Sequence, residues 1–237
     1  MKILCIIPAR SGSKGIPHKN IKLLNDKPLF IWSVEQAQKS KYFSKMKIII
    51  STDSEKYRNI ANKWGIDVPF LRPKNISGDF SVDIEFIKHA TEWLFKNENY
   101  ISDFILHLRP TQPFRSTNDI DYCINIFMKN FEDYDSLRTV TKNKKSPFKM
   151  YKICNNSLIP LFKEVNNIIE PYNVGRQLLP DTYLHNGYID IIKTKILKKN
   201  TISGNKIYPV ILNKDIIDID TDEDWIKAQN ENKTIFE

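Results

Sequence analysis

The stretch IPARSGSKGIPHKN, residues 7–20, puts Arg10, Lys14 and Lys19 around two glycines, Gly12 and Gly15. Glycine lets a backbone approach a ligand closely and turn its N–H groups inward, and the three cations add fixed positive charge. Cradling a polyphosphate is the chemistry this suits, although neither G-x-x-x-x-G-K-[ST] nor G-x-G-x-x-G is present. A glycine turn with solvated lysines is the alternative. A second group of chemical interest is the alternation Asp218, Asp220, Asp222, Asp224. It fails as an EF-hand loop, whose sixth position should be Gly and twelfth Glu; here they are Glu223 and Gln229. On an extended segment Asp218 and Asp220 point the same way and offer two oxygen ligands to Mg²⁺, while Asp222 and Asp224 suit the start of a helix.

These residues need a scaffold, and the apolar pattern supplies one. Runs rich in Ile and Val alternate with segments of helical period, which predicts βα units and a mostly parallel sheet. ILCIIP, KIIIST, VPFLRP, DFILHLRP and DSLRTVT read as strands. PLFIWSVEQAQKS, SEKYRNIANKWG (ending at Gly65), residues 81–96 and STNDIDYCINIFMKNF read as helices, the last capped by Ser116 or Thr117. In the third of these, Phe86, Ile87, Ala90, Trp93 and Leu94 share one face. The glycine stretch then leaves the carboxyl end of the first strand, where open α/β sheets bind ligands. From about residue 145 to 185 the pattern breaks into short polar pieces, which predicts a β-rich arm inserted into one domain covering residues 1–237. YLHNGYIDII and YPVIL read as returning strands, and TDEDWIKAQNEN as a final helix capped by Thr221 with Asp224 at its third position.

Bulk properties exclude other classes. The 237 residues suffice for a full core, and 41% hydrophobic content with interspersed charge argues against disorder. No apolar run approaches the roughly 20 residues of a membrane-spanning helix. The opening MKILCIIP is too short for a secretory h-region, so it reads as a core strand of a cytoplasmic protein. The net charge of +8 is scattered apart from KNKK at 142–145, and no basic stripe is interleaved with aromatics, so no nucleic-acid partner is expected. Cys5, Cys123 and Cys154 are far apart and odd in number, which predicts buried free thiols rather than disulfides or zinc.

The glycine stretch resembles the nucleotide-binding loop of the acylneuraminate cytidylyltransferases, the CMP-sialic acid synthetases, whose pattern is approximately A-R-x-x-S-K-G-x-x-x-K-N. Ala9, Arg10, Ser13, Lys14, Gly15, Lys19 and Asn20 fall in register. STDSEKYRNIANKWGIDVPFLRP is similar to the family's S-T-D and L-R-P segments, ISGDFS to A-x-D-T-x, and LRPTQPFR to L-Q-P-T-S-P-L-R. GRQLLPDTYLHNGYIDI is similar to R-Q-x-L-P with N-G-x-I-Y-I, and DIDTDEDW to I-D-I-D-T-x-x-D. The resemblance covers nearly the whole chain.

It implies a Rossmann-like nucleotidyltransferase with helices on both faces of the sheet and a small dimerisation arm, hence a homodimer. It also implies attack by the anomeric hydroxyl of a 2-keto sugar acid on the α-phosphate of CTP, with release of pyrophosphate. Arg10, Lys14 and Lys19 would hold the triphosphate, Mg²⁺ on Asp218 and Asp220 would neutralise developing charge, Asn20 would contact the ribose, and Arg72 with the backbone near Ser81 would read cytosine. Arg72 as a surface cation after a strand is the alternative, and Asp79 reads as a turn or helix-cap residue. Arg109, Gln112, Arg115, Lys149, Arg176, Gln177 and Asn186 match positions near the acceptor or phosphates, with Arg176 or Lys149 suited to the acceptor carboxylate. Arg109 stands where the family usually carries Gln, and His185 replaces a commoner arginine, so a legionaminate-like acid is as well suited as N-acetylneuraminate. Two readings of Arg109 stand: it meets an acceptor group with its planar fork, or it pairs with an acid such as Asp79. Kdo-like or sugar-phosphate transfer, and an inactive nucleotide-binding protein, are the alternatives to the reaction as a whole.

Overall fold

A computed structural model describes residues 1–236, with side chains through Glu231. The chain forms two compact units: residues 1–139, 187–210 and 215 onward in the first, and residues 140–186 with 211–214 in the second.

The first unit is built on β1 (Ile3–Pro8), whose residues Ile3 to Ile7 are all buried. A strand buried on both faces belongs at the centre of a parallel sheet. Accordingly β1 lies between β2 (Met46–Ser51) and β3 (Phe104–His107), parallel to both, with Ile6 opposite Ile49 on one side and His107 on the other. The six-stranded sheet continues through β4 (Ser136–Lys142), β5 (Tyr183–Lys193) and β6 (Ile207–Ile211) in the order β6-β4-β5-β3-β1-β2. β5 runs antiparallel to β3.

Alternation along β3 places helices on both faces, because successive side chains of a strand point to opposite sides. Ile105 joins a cluster with Leu4, Ile6 and Ile49 against Phe86, Ile87, Ala90 and Leu94 of α3 (Asp83–Glu98). The neighbouring Phe104 packs edge-on against Phe127 of α4 (Thr117–Lys129) instead. α1 (Leu29–Gln38) and α2 (Glu55–Lys63) follow β1 and β2, and α5 (Asp222–Phe236) closes the chain. Element labels below follow these ranges.

Three local expectations need correction. VPFLRP is not a strand: its backbone pairs with the residue after β2 through the Thr52–Leu71 bridge and the bond from the Arg72 N–H to the Thr52 carbonyl, and Pro69 and Pro73 lack the donors a ladder would need. Ser116 precedes α4 but its hydroxyl does not cap it; the Ser116 N–H donates to the Tyr188 hydroxyl. Cys5 and Cys123 are buried, and burial pushes the Cys5 thiol up to about 12, but Cys154 is exposed because it ends a hairpin strand in the second unit.

The second unit contains two short antiparallel hairpins, Tyr151–Cys154 with Ser157–Pro160 and Glu164–Val165 with Ile168–Ile169. Each turns on an Asn–Asn pair with both residues at positive φ, 48° and 60° at Asn155–Asn156 and 48° and 64° at Asn166–Asn167. Two successive left-handed residues give the type I′ turn, whose twist matches that of the flanking strands.

Candidate active site

The loop after β1 is fixed from several sides before any ligand is considered. The Ala9 N–H donates to the Ser51 carbonyl at the end of β2. Asp53, just beyond that strand, accepts from the Ser11 N–H and from the Ser11 hydroxyl, each at 2.8 Å. Across the loop, Asn20 Nδ2 donates to the Arg10 carbonyl at 3.0 Å. Further on, Ile16 packs with Leu24, Leu29, Ile219, Trp225 and Ala228, so one hydrophobic cluster ties the loop to α5 and the acidic segment before it.

That junction explains one glycine and not the other. A Cβ on Gly15 would lie 2.1 Å from the Asp220 carbonyl oxygen, so the close approach this glycine permits is to the chain's own acidic segment. A Cβ on Gly12 would meet nothing within 4 Å. Lys19 completes the junction, its ammonium donating to the Ile219 carbonyl at 2.6 Å and to Asp220 Oδ1 at 2.8 Å.

The acidic segment is itself anchored. Thr221 caps α5 as expected: the Asp224 N–H donates to its hydroxyl, while Asp224 Oδ2 accepts from the Thr221 N–H and hydroxyl and from the Asp220 N–H. The Ile219 N–H donates to the Thr111 carbonyl. Beside it, partial desolvation and then the nearby Asp220 carboxylate raise the pKa of Asp218, against a lowering hydrogen bond with Thr111. Among the described residues no three His, Cys, Asp or Glu side chains group as metal ligands, so any ion here would rest on the two carboxylates.

Loop, acidic segment and strand ends enclose a cavity of about 480 Å³ lined by Arg10, Ser13, Lys14, Gly15, Lys19, Asn20, Arg72, Ser81, Arg109 and Asp220 among others. Arg72 is no surface cation. It is buried, donates to the Ser51 hydroxyl (3.1 Å) and carbonyl (2.8 Å), and stacks 4.5 Å from the Phe86 ring centroid; burial lowers its pKa to about 10. Asp79 sits in the Gly78–Ser81 turn, as a turn residue should, and pairs with Lys14 at 2.8 Å and Arg10 at 3.3 Å.

Arg109 lines the cavity, but its charge is already met. It bonds Asp190 at 2.6 Å and Asp83 at 2.8 Å, not Asp79, and donates to the Gly187 carbonyl. Burial alone would lower its pKa; the two carboxylates outweigh that and raise it. Beneath it lies His107, fully buried, with Nδ1 about 4 Å from both carboxylates and its pKa lowered to about 4 by burial and then by Arg109.

Other expected residues stand elsewhere. Arg115 is buried away from the cavity, donating to the carbonyls of Tyr188 and Arg109 and to Ser33 and Gln36, because it joins β5 and α1 to the turn after β3. Burial lowers its pKa to about 10. Ala9 and Gln112 are buried, and with Asp218 they are not among the cavity-lining residues. Lys149, Arg176, Gln177 and Asn186 belong to the second unit. There the Lys149 ammonium donates to the Tyr172 and Val174 carbonyls, while Arg176 and Gln177 line a cavity of about 580 Å³ with Lys142 and Lys144. His185 also lies in that unit.

Sequence reasoning missed Asp53, Asp83 and Asp190. A lone carboxylate in the apolar run GYIDII should have signalled Asp190, since a buried charge requires a partner. Asp83 reads locally as an ordinary acidic first turn, and nothing local marks Asp53.

Residues 4–160 match the family described as Cytidylyltransferase. The chain belongs to the cytidylyltransferase family. It is 32% identical over 231 residues to the CMP-N,N'-diacetyllegionaminic acid synthase of Legionella pneumophila, covering 95% of this chain and 94% of that protein. It is 40% identical over 144 residues to the N-acylneuraminate cytidylyltransferase of Escherichia coli O18:K1:H7, covering 61% of this chain but only 32% of that protein's length. A solved CMP:2-keto-3-deoxy-manno-octonic acid synthetase in complex with CTP superposes with a TM-score of 0.69 over 99% of both chains at 13% identity, which shows the shared fold of this cytidylyltransferase. No helix among the described residues is long and apolar enough to cross a membrane.

Proposed function

We propose that this cytidylyltransferase joins CTP to a nonulosonic acid, a 2-keto sugar acid of the sialic or legionaminic type, giving a CMP-sugar and pyrophosphate. The observation that carries the reading is the convergence of Arg10, Lys14, Lys19 and Arg72 on one cavity at the carboxyl end of β1, beside Asp220. In the reaction the sugar's anomeric oxygen bonds the α-phosphorus, the bond from that phosphorus to the pyrophosphate oxygen breaks, and the hydroxyl proton is released.

Arg10 and Lys14 meet the triphosphate, and their charges stabilise the charge developing on the departing pyrophosphate. Lys19 balances Asp220 and holds the acidic segment against the loop. Arg72, rigidly held by Ser51 and Phe86, reads cytosine with the backbone around Ser81, and Asn20 braces the loop while facing the ribose. Asp218 and Asp220 are hard oxygen donors of the type Mg²⁺ takes, and Asp220 keeps Oδ2 beside the Oδ1 that Lys19 holds. Bound there, Mg²⁺ would neutralise phosphate charge and lower the pKa of the attacking hydroxyl.

For the acceptor, Arg176 with Gln177 is the better assignment than Lys149, whose ammonium already serves two carbonyls. The second unit is assigned as a homodimerisation arm on its exposed apolar side chains, and CTP as substrate implies a cytoplasmic reaction. A pyrophosphate-release assay crossing four nucleoside triphosphates with nonulosonic acids, Kdo and sugar phosphates tests the whole reading. Release with CTP and a nonulosonic acid is expected; release only with a sugar phosphate, or only with another nucleotide, would refute it.

A further inference from the structure

We propose that Asp79 is an internal competitor for the phosphate-binding cations, so that a nucleotide binds only by displacing this carboxylate from Arg10 and Lys14. The inference rests on the assignment of this cavity to a nucleoside triphosphate. One oxygen of Asp79 lies 2.8 Å from the Lys14 ammonium and the other 3.3 Å from the Arg10 guanidinium. A single carboxylate therefore meets two of the cations that the reaction would direct at phosphate oxygens. Its pKa is lowered by the Lys14 hydrogen bond first and by Arg10 as well, so it is anionic at neutral pH.

The ion pairs are not needed to shape the loop that carries Asp79. The Gly78 N–H donates to the Ser81 hydroxyl at 3.0 Å, the Ser81 N–H donates back to the Gly78 carbonyl, and the Ser77 hydroxyl donates to the Pro73 carbonyl at 2.8 Å. Arg10 also keeps the Gly78 carbonyl as a partner, at 2.5 Å, without the carboxylate. The turn is thus self-supporting, with Phe80 at its tip 97% exposed, and displacement requires only that one partly exposed side chain rotate. Lys14, 74% exposed in its side chain, is free to follow a phosphate.

An exposed pair of this kind contributes little, so the competition should be modest: about a fivefold effect on affinity for the two contacts together. Calorimetric titration of CTP into the full chain, wild type and Asp79→Asn, in one buffer and at one salt concentration, tests it. We expect the Asn variant to bind about fivefold more tightly, with a thermal midpoint close to wild type. The gain should shrink in a Lys14→Ala background, where one of the competing pairs is already absent. Unchanged or weaker binding by Asp79→Asn, with wild type binding CTP, would overturn the competitor role and leave the nucleotide site standing. No CTP binding by the wild type would remove the nucleotide reading and this inference with it.

Discussion

The two units reach their folds by different means. In the first, β1 is buried on both faces and Leu4, Ile6, Phe86, Leu94 and Ile105 share one core. In the second, Ile153, Leu158 and Ile169 are 77%, 67% and 75% exposed, and the hairpins that carry them rest on Asn–Asn turns. An isolated two-stranded hairpin is marginal in water, and apolar side chains left in solvent gain nothing from burial. The first unit therefore carries a core of its own, while the second leaves large apolar side chains in solvent. The difference teaches where rigid chemistry can be placed: the cations and carboxylates of the candidate site belong to the unit with the core.

The strongest way to break this contrast is a matched pair of truncations. Leu94→Ala removes a fully buried side chain and should cost about 2–5 kcal/mol in urea unfolding. Leu158→Ala should leave the unfolding free energy of the first unit within about 0.5 kcal/mol of wild type, while lowering the mass seen by light scattering if the arm joins two copies. Equal stability losses from the two would show that the units fold as one.

A second prediction concerns the buried imidazole. His107 has an ordinary pKa near 6.5 when unfolded and about 4 when folded, so between these values the unfolded chain binds the extra proton. Stability is then full above about pH 6.5 and falls as pH drops toward 4, by about 3 kcal/mol in total. His89, lowered by burial and Arg72, acts in the same direction, so the informative comparison is wild type against His107→Gln. The variant should flatten most of the slope in denaturant unfolding between pH 6.5 and 4; an unchanged slope would show that His107 is not its source.

The contrast also has a functional edge. Asp220→Asn keeps size but removes the charge that Lys19 pairs with and that is assigned to Mg²⁺. We expect turnover to fall about a hundredfold, equivalent to about 2.7 kcal/mol, with the circular dichroism spectrum intact. Wild-type turnover in a folded variant would refute the assignment.

Much of the first unit was legible because its signals are local. The alternation of Ile-rich runs with helical periods marked β1, β2, β3 and four helices, and Thr221 with Asp224 marked the start of α5. What escaped depends on partners far along the chain. Gly15 looks like a ligand-facing glycine until the Asp220 carbonyl is found against it, and Arg109 looks like a free fork until Asp83 and Asp190 close on it. Arg115 matched a substrate position by motif, yet Ser33, Gln36 and Tyr188 from distant segments, with the nearby Arg109 carbonyl, hold it inside. The arm is legible in outline, as a β-rich insertion at about residues 145–185, whereas its two I′ turns escape because an Asn–Asn pair signals positive φ less strongly than Asn–Gly does.

Those turns carry the smallest expected effect and the finest test of the contrast. Asn156 holds φ at 60° at the second central position of its turn, a conformation that a Cβ-bearing residue other than Asn or Asp adopts at a cost of about 1 kcal/mol. Asn156→Ala should therefore loosen the hairpin by about that amount, whereas Asn156→Gly, which suits the position best, should preserve or slightly tighten it. Hydrogen exchange read at the amides of residues 151–159 reports this locally, since local opening there need not involve global unfolding. If the arm is held by turn chemistry, Ala should speed exchange in this hairpin about fivefold and leave the amides of β1 and β3 unchanged. Faster exchange in β1 as well would mean that the hairpin is coupled to the core, and the division of labour between the two units would have to be given up.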